Sequence, residues 1–234
     1  MTQLETGKSG LRVAAILVVV GAVLSGPVAM VAVSRFSPQP PWTDLVTFAD
    51  HYRPLQALPY VLGYVLLSGF VLFAAACHAE APREMRLRTS ASLIFTAVYA
   101  ALVFTNYTIQ LGFIPRLLAD RPPFLAQLTM ANPSSFAWFL EMFGYAALGA
   151  ATWLVAPMFR GGRRMDAIRY LLVANGVVSI AGAACTALFD RWVFSISGLA
   201  SFMAWNALIP VCFGLIAIGP DRAFVEGQKS SDEA

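Results

Sequence analysis

Charge is what this chain has least of. Of its 234 residues, 16 are Lys or Arg and 13 are Asp or Glu, together 12%, where an ordinary soluble domain carries about 25%. So few charges cannot clothe a water-exposed exterior, and they leave a nucleic-acid-binding surface or a disordered chain without material. Cysteine is scarce as well. Cys77, Cys185 and Cys212 each lie inside an apolar run with no CxxC spacing, which argues for buried free thiols and against a disulfide or metal framework. The two histidines, His51 and His78, flank one apolar run at opposite ends, so a two-histidine haem would find no pair at matched depth. HExxH and GxSxG are absent, and no lysine occurs within any apolar run, so a retinal Schiff base has no anchor. No cofactor, metal or nucleic-acid partner is expected.

What the chain has in quantity is hydrocarbon: 58% hydrophobic residues and a mean hydropathy of +0.67. A helix needs about 20 mostly apolar residues to cross the hydrocarbon of a bilayer. Six runs qualify, over 13–33, 55–77, 89–115, 136–159, 170–189 and 192–220, and they hold a single charged residue, Glu141. Their length, without alternation of period two, means helices rather than barrel strands. The expected fold is all-α, a polytopic bundle of six transmembrane helices over residues 1–226. Residues 227–234 read as a disordered cytoplasmic tail. Pro27 and Pro210 should kink the first and sixth helices without ending them.

Lysine and arginine orient the bundle. Eleven fall at the termini and in the loops 78–88 and 160–169, and five in the opposite loops, so both termini are expected in the cytoplasm. A cleaved signal peptide over 1–34 is the alternative, but its apolar run exceeds the usual 7–15 residues. The outer loop 34–54 places Trp42, Leu45, Val46 and Phe48 near one helical face, as an interfacial helix would. The outer loop 116–135 mixes Leu117, Leu118, Phe124, Leu125 and Leu128 with prolines and should also lie along the surface. Trp42, Tyr52, Tyr60, Trp138 and Trp192 read as an outer aromatic belt. Only Asp190 and Arg191 separate the last two runs, which predicts a tight hairpin. Small residues such as Gly149, Gly176 and Gly182 suggest that spans four to six form the compact centre, with span three turned toward lipid.

Glu141 is the residue the bilayer singles out. It stands about 7–8 Å inside the fourth span at 1.5 Å per residue, and a carboxyl at that depth belongs in the bundle interior or a wet cavity. Trp138 and Tyr145 share its helical face. In the antiparallel third span, Asn106 and Gln110 lie one turn apart on one face, with Gln110 at a depth close to that of Glu141. These five residues (Glu141, Gln110, Asn106, Tyr145 and Trp138) form the candidate ligand site, an outward-opening polar pocket roofed by the two loops, with Asp190, Arg191, Tyr60, Tyr64 and His51 near its mouth. A plainer reading has Glu141 reaching up to water or to Arg116 or Arg121, with the amides as inter-helix glue; Asn175 and Asn206 read as glue in the same way.

The segments Asn106-Tyr-Thr-Ile-Gln110, Asn132-Pro-Ser-Ser-Phe-Ala-Trp-Phe-Leu-Glu141-Met-Phe-Gly-Tyr145 and Ala156-Pro-Met-Phe159 together resemble a pattern in uncharacterised bacterial six-span integral membrane proteins. The resemblance implies a location in the bacterial cytoplasmic membrane and carries no activity with it. Three functions stay open: binding or transport of a small amphipathic molecule, an accessory subunit packing on a membrane-protein partner or a second copy, and an intramembrane enzyme with Glu141 as acid or base. The last is short of parts, having one carboxyl with neither nucleophile nor metal.

Overall fold

The computed structural model describes residues 3–219; the tail over 227–234 lies outside them. Six helices are long and apolar enough to cross a membrane: Ser9–Phe36, Pro54–Ala79, Arg83–Leu117, Phe136–Met158, Arg163–Leu188 and Ile196–Ile218. No strand occurs among the described residues. The chain is a multi-pass, all-α membrane bundle.

The spans form a closed ring in chain order. Each packs on the next, and the sixth returns to pack on the first. This arrangement has no central helix, so the expected compact core of spans four to six is corrected. The third span does turn much of its surface outward, with Ile94, Phe95, Val98 and Phe104 exposed, while its Tyr99, Val103, Asn106 and Tyr107 are buried toward the interior. Two glycines make room for it. A Cβ on Gly63 would meet the Tyr107 ring at 2.4 Å, and one on Gly144 would meet Val103 at 2.7 Å. The first span, with Leu11, Ala14, Ala15 and Val18 all buried, is a full wall of the ring.

One end of the ring holds the arginine-rich loops and is called here the basic end; the other is the capped end. Toward the basic end the ring is filled with aromatic side chains. The Phe213 ring meets those of Phe70 and Phe73 edge-on, with centroids 5.3 and 4.8 Å apart. Tyr99 meets Phe70 at 5.8 Å, and Phe159 stacks near Phe73. Such edge-on pairs add about 0.5–1.5 kcal/mol each beyond the area they bury. In the loop below, Gly161 and Gly162 adopt φ near +91° and +92°, a turn that side chains resist. The turn lets Arg164 donate to the Gly219 carbonyl at 2.5 Å and close the last helix.

At the capped end the two long loops fold onto each other. Asp44 caps the helix Leu45–His51 by accepting from the Thr47 amide at 2.7 Å, and this bond holds its carboxyl below the usual range. Phe48, Ile114 and Leu125 form a small buried cluster with Trp42, Leu45 and Leu128 around it. An Arg121–Asp50 ion pair of 2.6 Å ties one loop to the other. Val46 of the same helix is exposed.

Neither interior proline ends its span, as expected, while the link between the last two spans differs from expectation. Pro27 sits in a π-helical turn, Leu24–Val28, and a second such turn, Ile109–Phe113, interrupts the third span. Pro210 leaves its helix continuous. The fifth and sixth spans are not a tight hairpin. Leu188 ends one and Ile196 begins the other, with the short turn Trp192–Phe194 wedged between them. Ser195 caps the sixth helix by accepting from the Gly198 amide, and that fixes its start well beyond Asp190.

Candidate functional site

Between the aromatic plug and the cap, the ring surrounds a half-open cavity of about 460 Å³. Its wall draws on every span, with Ser25, Tyr60, Gln110, Glu141, Val178 and Trp205 as one representative of each. The lining is mostly apolar, with Phe48, Met142, Leu199 and Phe202 also facing in. This corrects the expectation of a polar pocket: it is a greasy chamber with one carboxyl in its wall.

Glu141 is 7% exposed. Asn106 Nδ2 donates to its Oε2 at 3.0 Å, and Tyr107 Oη donates to its Oε1 at 2.9 Å. Arg121 is engaged with Asp50, and neither ion pair among the described residues includes Glu141. The arginine form of the plainer reading, a carboxyl stretching up to a loop side chain, therefore fails. Both donors are neutral, and a carboxylate oxygen accepts more than one hydrogen bond, so acceptor capacity remains on the cavity side.

Asn106 is wholly buried and stands behind the carboxyl, outside the cavity lining. Its role is to hold Glu141, and it is itself held, since Gln110 Nε2 donates to Asn106 Oδ1 at 3.2 Å. Gln110, expected at the depth of Glu141, sits one turn nearer the cap. There it grips the loop: its Nε2 donates to the Leu128 carbonyl at 2.7 Å, and its Oε1 accepts from the Met130 amide at 3.2 Å. Trp138 Nε1 donates to the Met130 carbonyl at 2.9 Å, so two candidate residues serve to sew the loop over the cavity. Tyr145 lines the chamber between Tyr99 and Trp205, with ring centroids 5.4 and 5.0 Å away.

The aromatic belt is also corrected. Tyr52, Tyr60, Trp138 and Trp192 turn inward to line the cavity, and burial pushes the Tyr52 hydroxyl up from its ordinary value. Tyr64 bonds Thr108, and His51 bonds the Thr47 carbonyl of its own helix; neither reaches the mouth. Asp190 accepts from Ser134 Oγ at 2.5 Å, and Arg191 does not line the cavity.

Asn175 is glue, as expected. It donates to Thr152 Oγ1 at 3.0 Å and accepts from Trp205 Nε1 at 2.9 Å, joining spans four, five and six beneath the chamber. Asn206 differs, since it bonds the Phe202 carbonyl of its own helix and lines the cavity beside Gly26.

The sequence reading missed Tyr107. It grouped Asn106 with Gln110 on one face and passed over their neighbour, which is rotated about 100° on a helix of 3.6 residues per turn. The available signal was the i, i+3 spacing of Tyr107 and Gln110. Among the described residues no three His, Cys, Asp or Glu side chains gather as metal ligands would. No family model matches the chain, nor does any curated protein or solved structure.

Proposed function

We propose that this protein resides in the cytoplasmic membrane of a bacterium and binds, or carries, a small amphipathic molecule in the capped-end chamber, on the extracytoplasmic side. One observation carries the reading: a buried carboxyl, held from behind by Asn106 and alongside by Tyr107, which also lines the chamber, faces a cavity of about 460 Å³. That volume falls within the roughly 300–1,000 Å³ of small-molecule sites, which combine apolar walls with a few placed polar groups. A filled polar knot would serve packing equally well, but packing alone gives no reason to keep the chamber hollow, because interiors are ordinarily close-packed.

The test is native mass spectrometry of protein purified from its membrane. The wild type retains a bound small molecule. Glu141→Gln, which preserves shape, lowers its occupancy by about tenfold, the equivalent of one charge-assisted hydrogen bond. Equal occupancy in both proteins removes the site. The assigned sidedness has its own check: reporter fusions after Ser37 and Ala126 read as outside and one after Arg163 as inside, and the opposite pattern would turn the chamber toward the cytoplasm.

A further inference from the structure

The wall of the ring is uneven. Spans one and two approach backbone to backbone, since a Cβ on Gly21 would lie 2.4 Å from Leu66 main-chain atoms. Spans four and five do likewise, where a Cβ on Gly149 would lie 3.1 Å from Gly176 Cα. The seam between spans five and six is closed only lower down, by the Trp205–Asn175 bond and by Cys212 against the Ile168 carbonyl. Above that level a second recess of about 690 Å³ lies between the two helices, lined by Val177, Ala181 and Cys185 on one side and Ser197 on the other, with the Asp190 carboxylate at its rim. Val178, Gly182, Trp192 and Ser201 border this recess and the central chamber alike. The partition is thus made of side chains: the Met142 methyl and the Trp192 ring stand beside Gly182, which contributes none. Val177, which lines the recess, is exposed, and at this depth of a membrane bundle such a surface faces hydrocarbon.

Resting on the binding function proposed above, we infer that the ligand is a single-chain lipid with a cationic amine head, which reaches the chamber sideways from the outer leaflet between spans five and six. The tail follows from the route, because below Asp190 at the interface the recess descends along an apolar face that a molecule dissolved in the bilayer meets. The head follows from Glu141, the one acidic or basic side chain buried among the described residues. It receives only neutral donors, and an ammonium supplies the opposite charge that nothing in its surroundings provides. With the head on Glu141, the tail runs past Met142 and Gly182 into the seam.

The full-length protein in phosphatidylcholine vesicles is photolabelled with a sixteen-carbon primary amine bearing a diazirine midway along its chain. The expected adducts fall within residues 177–205. Their yield drops about tenfold in Glu141→Gln and several-fold in Ser201→Trp, which fills the partition, and the matching fatty acid labels no better than the Glu141→Gln background. Adducts sensitive to Glu141→Gln but mapping to other seams overturn the sideways route and leave the chamber standing. Equal labelling by the fatty acid overturns the amine head. Labelling indifferent to Glu141→Gln overturns the chamber itself. The position of the wild-type adducts decides the route even if Ser201→Trp fails to fold.

Discussion

The same six helices make a solid at one end of the ring and a hollow at the other. Toward the basic end, Phe70, Phe73, Phe159 and Phe213 fill the axis with rings. Toward the capped end, small residues such as Ser25, Gly26, Gly182, Gly198 and Ser201 border a chamber. Both π-helical turns, around Pro27 and around Gln110, occur at the hollow end, and such turns often mark functional sites. The contrast separates what holds the bundle together from what the bundle holds. Stability is concentrated in the aromatic plug, and a carboxyl is tolerated where the packing is deliberately incomplete.

Substitutions sharpen or break that contrast. The largest effect is expected for Phe213→Ala, which empties the plug and costs about 3–5 kcal/mol in reversible unfolding; Phe202→Ala in the chamber wall should cost far less. Equal losses would abolish the distinction between the two ends. Next comes Asn106→Ala, which leaves Glu141 short of a buried donor and should cost about 1–3 kcal/mol, together with the bound molecule in native mass spectra. Tyr107→Phe removes one hydroxyl and should cost about 1 kcal/mol while weakening ligand retention; an unchanged protein would mean that the hydroxyl does not hold the carboxyl.

The smallest effect is confined to the cap. The Asp44 carboxyl lies below its ordinary value of 3.8 because the Thr47 amide donates to its charged form. A folded value below the unfolded one gives support that is present above about pH 3.8 and lost as acid titrates the group through its folded value. Amide exchange at Thr47 and Phe48 should therefore quicken in acid, whereas Asp44→Asn, which still caps, should show no such dependence.

The spans were legible because charge is excluded from hydrocarbon so strictly that 28 of the 29 charged residues mark their limits. The loop helix Leu45–His51 was legible from its spacing of apolar side chains. Ring closure was not, because a helix apolar on all sides carries no mark of which side meets a neighbour. Glu141 stood out by cost alone, and Trp138, Gln110 and Asn106 were found as its company, but their division of labour was hidden. It depends on the loop over 128–132 folding down onto the third span, and no local pattern announces that. Tyr107 was overlooked because a tyrosine in a span reads as one more aromatic. The parting of spans five and six was masked by their brief polar break: two charged residues suggested a turn, while Trp192 and the Ser195 cap enforce a longer connection.

The most direct measurement is an experimental density map of the protein taken from its own membrane into lipid nanodiscs without detergent washing. The account predicts an elongated feature with one end against the Glu141 carboxyl and the other in the seam between spans five and six. A chamber closed by inward-turned side chains, with the carboxyl engaged only by Asn106 and Tyr107, would contradict it.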